Sequence, residues 1–355
     1  MNKKTEYALK GAGIVGLGGI IFNAIKQLME MNDNPEKKFD WGEMFTTGLK
    51  GAAIGAGGGF LIGATKDHFN ELEKPINTNA FIFSVIDDIK LKKTDKEYVR
   101  LSTKAAKIER LVNDYFRDKI QGHSVRRGST EDGTALKEKF DIDIFFSFRA
   151  GSFSSNEEMY ESLYSFLSDN YSDDGFVELR RQGRSIGVIF NIRGKEYKID
   201  VVPCKLSSKG RRSSAGYLYV NDDSLFGKSS YTKTNIKKLD SKKLSTSQQK
   251  IFLLLKSWKN KNNVPLKSYL LKELIFKAYE ANRGQIPRDI TKKLMMVTSF
   301  IADNIIYINI KGVENTNNVL TDIPKVDKQY IKDACQKIIK DYEYQPNSLA
   351  KVFET

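Results

Sequence analysis

The stretch Phe140-Asp141-Ile142-Asp143-Ile144-Phe145-Phe146-Ser147-Phe148 decides how the rest of the chain is read. Successive side chains of a β-strand point to opposite faces, so alternate residues share a face. Read as a strand, 140–148 sets Asp141 and Asp143 together on one side, flanked by apolar residues. Two carboxylates aimed at one place suit a hard divalent cation, which takes oxygen ligands. A lone Asp-x-Asp pair is more often a solvent-facing pair, so the weight falls on what surrounds it.

Upstream stands Arg127-Gly128-Ser129, followed by Gly133-Thr134. A glycine there lets the backbone come close to phosphate groups, and the neighbouring N–H with the Ser129 hydroxyl can hold them. Downstream stands Lys198-Ile199-Asp200-Val201-Val202-Pro203, a strand that offers a third carboxylate. A nucleoside triphosphate carries about four negative charges, and transfer of its α-phosphoryl group calls for cations on the attacking and leaving oxygens. Asp141, Asp143 and Asp200 are therefore the candidate catalytic and metal-holding residues, with Mg²⁺ or Mn²⁺ as the cofactor. Asp200 is also placed to help activate the incoming hydroxyl. Gly128 and Ser129 are the candidate phosphate binders. Glu131 and Asp132 lie in the same loop and would repel a triphosphate unless they turn outward.

Composition supports this chemistry and excludes others. The 355 residues carry a formal charge of +14, and the hydrophobic share of 40% supports a folded core. Between Lys205 and Lys261 there are 14 Lys or Arg against 3 acidic residues, a basic stretch suited to a polyanionic partner: nucleotide, nucleic acid or an anionic surface. Cys204 and Cys335 have no zinc-ligand spacing, and the two histidines, His68 and His123, have no partner at metal spacing. A Ser-His-Asp triad is thus set aside, and catalysis falls to carboxylates and Lys/Arg. Two lone thiols fit a cytoplasmic location.

Around the central strand the pattern is helix, mixed sheet, then helical bundle. Leu101, Ala105, Ile108, Val112 and Tyr115 recur at helical spacing over Glu97–Gln121, which stops at Gly122. Residues 157–167 read as a helix, and 176–179, 185–192 and 196–202 as strands, with Gly194-Lys195 as a hairpin turn. Helices are expected near 245–261, 267–280, 288–304 and 325–342. Trp258 falls in an apolar helical stripe and is expected in the core. The first part differs: Gly11–Ile25 and Gly51–Thr65 are uncharged runs of 15 residues, and the second has Gly51, Gly55, Gly59 and Gly63 in one row. That row suits close helix–helix packing, so residues 7–69 read as a Gly-rich helical hairpin for assembly or membrane contact. The expected organisation is 1–75 hairpin, 76–240 catalytic core and 241–355 C-terminal bundle.

The motif set GSTEDGTALKEKFDIDIFFSF with KIDVVPCK resembles that of the polymerase-β-like nucleotidyltransferases. More narrowly it resembles the bacterial CD-NTases, relatives of cyclic GMP-AMP synthase and oligoadenylate synthase. The segments Leu254-Leu255-Lys256-Ser257-Trp258-Lys259, Leu266-Lys267-Ser268-Tyr269-Leu270-Leu271 and Asn317-Asn318-Val319 add to the likeness, although the Asp-Pro that often precedes the last is absent. The resemblance covers roughly residues 97–342 and implies an α+β fold: a polymerase-β-like palm with a mixed sheet, followed by a helical bundle. It implies that Lys256 contacts donor phosphates, that Ser268 adds a hydroxyl, and that Tyr269, Tyr217 or Tyr219 stacks on a base. It also implies nucleoside triphosphates as substrates, a cyclic or short linear oligonucleotide product, antiphage defence and a downstream effector protein. Two other readings stay open: a terminal transferase extending RNA or DNA, as the CCA-adding enzymes do, and a non-catalytic membrane or scaffold protein.

Overall fold

The computed structural model describes residues 76–207, 215–220, 230–235, 243–310 and 323–353. The expected hairpin at 7–69 and the Asn317-Asn318-Val319 element lie outside the described residues. Among the described residues no helix is long and apolar enough to cross a membrane.

The described residues belong to one compact unit, Ile76–Thr355. Its helices are α1 (Thr78–Ile89), α2 (Lys96–Tyr115), α3 (Asn156–Asn170), α4 (Thr246–Lys261), α5 (Ser268–Ala281), α6 (Ile290–Asn304), α7 (Lys325–Tyr344) and α8 (Ser348–Phe353). Its strands are β1 (Val125–Arg127), β2 (Asp141–Phe148), β3 (Phe176–Arg181), β4 (Ile186–Ile192), β5 (Lys195–Leu206), β6 (Ala215–Val220) and β7 (Ser230–Asn235). The sheet runs β1-β2-β5-β4-β3, and β6 pairs with the far end of β5 and with β7. Only β2 and β5 are parallel, and the other pairs run antiparallel. A mixed sheet followed by a run of helices is the α+β palm-and-bundle architecture expected.

Two large cores hold these layers. One gathers Leu101, Ala105, Ile108 and Val112 of α2, Met159, Tyr160, Leu163 and Leu167 of α3, and the buried faces of β2, β4 and β5. The other gathers α4 to α8 and includes Trp258 as expected; it also takes in Ile82, Val85, Ile86 and Ile89 of α1. A capping box starts α4: Ser245 accepts from the Gln248 N–H, and the Gln248 side chain accepts from the Ser245 N–H at 2.9 Å. Asn79 of α1 links to α6, its Oδ1 accepting from Thr291 N at 3.2 Å and Thr291 Oγ1 at 3.0 Å.

Several boundaries differ from the sequence reading. Helix α2 stops at Tyr115 rather than Gln121. The chain there is drawn to the end of β2, where Gln121 N donates to Ser147 O at 2.7 Å and Ile120 bridges Phe148. The β4–β5 turn is Arg193-Gly194, one residue earlier than expected, because Ile192 pairs with Lys195. Both turn residues have positive φ, 55° and 78°, the conformation a tight two-residue hairpin needs. Strand β5 continues to Leu206, and β6 and β7 were not foreseen. Ser230-Tyr231-Thr232-Lys233-Thr234-Asn235 has no apolar alternation, since β7 pairs only with β6 at the sheet margin.

Candidate active site

The burial of β2 alternates residue by residue, with Ile142, Ile144, Phe146 and Phe148 in the core. Asp141 and Asp143 therefore share the opposite face, half-buried. The parallel register places Asp143 directly beside Asp200 and Asp141 beside Lys198. Neighbouring residues in register share a face, so all three carboxylates and the Lys198 ammonium stand in one patch. Lys198 Nζ lies 2.8 Å from Asp200 Oδ2 and 3.8 Å from Asp141 Oδ2. The other Asp200 oxygen accepts from Ser185 Oγ at 3.3 Å, and Ser185 Oγ donates to Gln182 Oε1 at 2.8 Å in alternation with it.

This crowding shifts ionisation. Burial, then the charges of Asp141 and Asp200, push the Asp143 carboxyl up to about 7. Burial also raises Asp200, against its bonds from Lys198 and Ser185. For Lys198, burial opposes the charge, but the bond to Asp200 and the nearby carboxylates prevail and raise it. Among the described residues no group of three His, Cys, Asp or Glu side chains is already gathered around one point as a metal shell. The donor chemistry nevertheless suits a hard divalent cation: the set is all carboxylate oxygen, and the Asp143 charge is costly beside its neighbours without added positive charge.

The loop after β1 passes directly over this patch. Arg127 pairs with Asp143, so Gly128 is the next residue past it. Gly128 has φ +79°, and a Cβ there would lie 1.9 Å from Asp143 Oδ2. The sequence assigned this glycine to phosphate approach; the structure shows it is also required by the carboxylate beneath. The loop folds on itself through Asp132 N to Gly128 O at 3.0 Å and Thr134 N to Ser129 O at 2.9 Å. Its acidic residues are neutralised by lysines: Glu131 meets Lys93 at 3.1 Å, and Asp132 meets Lys272 of α5 at 3.2 Å. These two pairs answer the repulsion that the sequence left unexplained.

The bundle closes on the same loop. Lys256 of α4 donates from Nζ to Thr134 O at 3.1 Å, and Gln249 of the same helix donates to Asp132 O at 3.0 Å. Burial lowers the Lys256 ammonium to about 8, with Asp141 opposing. Ser268 is the first residue of α5 and half-buried, and Tyr269 beside it is exposed. Lys272 follows Ser268 by four residues and so shares its helix face.

Solved structures to which the chain is similar include CD-NTases. CdnC of E. coli MS115-1 with HORMA-deltaN aligns at TM-score 0.57 and 20% identity over 78% of this chain and 96% of that one. CdnG of Bradyrhizobium diazoefficiens in complex with GTP aligns at TM-score 0.60 and 12% identity over 78% and 94%. The CdnE cyclic dinucleotide synthase of Elizabethkingia meningoseptica, with GTP and Apcpp, aligns at TM-score 0.55 and 13% identity over 74% and 98%. The chain has the CD-NTase fold. No protein-family model matches the chain, and no curated protein matches it in sequence.

On this CD-NTase frame the foreseen residues fall into two groups. Asp141, Asp143, Asp200, Gly128 and Lys256 converge on the front of the sheet with their loop. Tyr217 and Tyr219 do not. Tyr217 pairs in register with Lys205, whose side chain alternates away from the face of Asp200. Tyr219 is buried against Tyr160 of α3, ring centroids 5.2 Å apart, on the back of the sheet. Tyr217 lines a back-face cavity of about 250 Å³ with Lys205, Asn156 and Tyr231. Neither ring lies on the face of the carboxylates, and Tyr269 alone of the three is on an element that faces the Gly128 loop. Sequence reasoning missed Lys198, Ser185 and Lys272. Only Lys198 left a local trace, its spacing of two from Asp200 on a strand.

Proposed function

We propose that this protein is a metal-dependent nucleotidyltransferase that joins nucleotides from nucleoside triphosphates without a template into a cyclic or short linear oligonucleotide. The observation that carries the reading is the parallel register that sets Asp143 beside Asp200, with Asp141 on the same face and a loop tied to Lys256 above them. Asp141, Asp143 and Asp200 would hold Mg²⁺ or Mn²⁺, which when bound supplies positive charge to the phosphate oxygens.

The chain's own groups divide the remaining work. Backbone N–H groups of the Gly128–Ser129 turn and the Ser129 hydroxyl hold donor phosphates. Lys256 and Ser268 extend that grip, and the Lys272 ammonium cancels the Asp132 charge that would otherwise repel the phosphates. Asp200, fixed on one oxygen by Ser185, accepts the proton of the attacking hydroxyl. The new bond joins that oxygen to the α-phosphorus, and the bond to pyrophosphate breaks. Tyr269, exposed at the start of α5, offers a ring on which a base stacks.

The neighbours with this fold include a cyclic dinucleotide synthase and a protein complexed with a HORMA partner. The synthase supports a short oligonucleotide product over extension of a nucleic acid; a role in antiphage defence with a downstream effector rests on the sequence resemblance to CD-NTases. Incubation with labelled ATP, GTP, CTP and UTP, with and without added RNA or DNA, tests the reading. A short phosphatase-resistant oligonucleotide formed without nucleic acid is the expected result. Label appearing only on added RNA or DNA would assign the chain to terminal transfer instead.

A further inference from the structure

Lys198 lies two residues before Asp200 on β5, so both side chains project from one face. Its ammonium sits between two of the three carboxylates, 2.8 Å from Asp200 Oδ2 and 3.8 Å from Asp141 Oδ2. Ser185 Oγ takes Asp200 Oδ1 at 3.3 Å, so both oxygens of the most buried carboxylate already have partners. A divalent ion shared by Asp141, Asp143 and Asp200 needs lone pairs from the same oxygens. A cation this close to two carboxylates competes directly with a divalent ion for the same oxygens.

We propose that Lys198 is the resident counter-cation of the carboxylate site, held in the metal's place in the metal-free protein and displaced when a divalent ion loads. The inference rests on the reading of the three carboxylates as metal ligands. The stem has an exit, since the Lys198 side chain keeps 30% of its surface exposed while that of Asp200 keeps 11%. Gly187 of β4 pairs with Asp200, and a Cβ there would clash with Gln182 Nε2 at 2.5 Å while only touching Lys198 Cδ at 3.5 Å, so the stem is loosely flanked on that side. A lysine suits the role better than arginine, because a point charge on a flexible four-carbon stem withdraws without losing a bidentate fit. The device keeps the empty site neutral enough to stay folded and makes metal loading a competition. That competition is won more readily when triphosphate brings the ion in.

Mn²⁺ binding to nucleotide-free protein, read by calorimetry and by loss of the free-ion electron paramagnetic resonance signal, tests this directly. Lys198→Met keeps the stem and removes the charge. It is expected to bind Mn²⁺ about tenfold more tightly than wild type and to melt at a lower temperature in chelator. Lys198→Gln serves equally if the methionine variant does not fold. Lys256→Met removes a charge that senses Asp141 but bonds to Thr134, and its Mn²⁺ affinity is expected to change by less than about threefold. Equal tightening in both variants would reduce the effect to the general field and overturn the proposal. So would an Mn²⁺ affinity in Lys198→Met that matches or falls below wild type while Asp143→Asn abolishes binding. If Asp143→Asn binds Mn²⁺ as wild type does, the carboxylates hold no metal, and the reading beneath the proposal fails with it.

Discussion

Gly128 and Asp143 leave no room for a carbon atom between them: a Cβ on residue 128 would lie 1.9 Å from Asp143 Oδ2. The φ of +79° at Gly128 adds a second constraint, since a side chain there costs about 1–2 kcal/mol. Gly128→Ala is therefore expected to move a carboxylate as well as strain a loop. A displacement of about 1 Å in a catalytic group can lower turnover about a hundredfold. Steady-state kinetics should show that loss, with a melting temperature lowered by about 2–6 °C. Turnover within a factor of three of wild type would mean that the loop yields and Asp143 stays.

Asp141→Asn, Asp143→Asn and Asp200→Asn should each abolish nucleotide incorporation without unfolding the protein. An amide keeps the volume and loses the anionic ligand, a difference of several kcal/mol at the transition state, so about a thousandfold in rate. The stability outcome separates the three. Burial and two neighbouring carboxylates make the Asp143 charge costly, so Asp143→Asn at pH 8 in chelator should melt no lower than wild type. Asp200→Asn leaves Lys198 and Ser185 with a poorer acceptor and should melt lower. Denaturation scans in EDTA decide between these orders.

Lys256 gives a pH dependence of definite sign. Its ammonium is lowered from 10.5 to about 8 by burial, so the folded protein holds fewer protons at this group than the unfolded chain. By linkage its charge destabilises the fold below pH 8, and that cost fades as pH rises from 8 to 10.5. Nucleotide binding runs the other way. Phosphate needs the ammonium, so triphosphate affinity should fall as pH rises through about 8. Lys256→Met should bind triphosphate about tenfold more weakly at pH 7 and lose that slope. Lys277→Ala, on α5 but paired with Glu280 at 2.7 Å, should leave both unchanged. Calorimetric titrations at pH 7, 8 and 9 read all three proteins.

Arg126 anchors the strand that feeds the Gly128 loop. It donates to both oxygens of Glu109 on α2, at 3.1 and 2.8 Å, and to Ser102 Oγ at 2.7 Å. Hydrogen bonds to charged groups contribute about 1.5–3 kcal/mol each, so Arg126→Ala should lower stability by about 2 kcal/mol and weaken triphosphate binding through a looser loop. Glu109→Ala should cost a similar amount. The double variant should lose less than the sum of the two by about 1 kcal/mol or more, the mark of a direct pair. Strict additivity in urea denaturation would assign the two residues separate roles.

The sequence by itself determined what local periodicity controls. The pleat has a period of two, so Asp141 and Asp143 share a face whatever packs around them. The helical period likewise placed Leu101, Ala105, Ile108 and Val112 against the core and Trp258 inside the bundle. The order of Gly-Ser, Asp-x-Asp and a later strand Asp, read by resemblance, was enough to name the fold class. The tertiary structure decided everything that depends on which strands become neighbours. Asp200 meets Asp143 only through the parallel register of β2 and β5, with α3, β3 and β4 in the chain between them. That same register brings Lys198 to Asp141, and the β4–β5 pairing brings Ser185 to the Asp200 carboxylate. The sequence left Tyr217 and Tyr219 evenly between base stacking and core packing; they lie on the back of the sheet, because the β5–β6 register fixed their face. A tight turn fixes register in a hairpin such as β4–β5, but β2 and β5 are separated in the chain by α3, β3 and β4, so no local pattern of residues carries their parallel register.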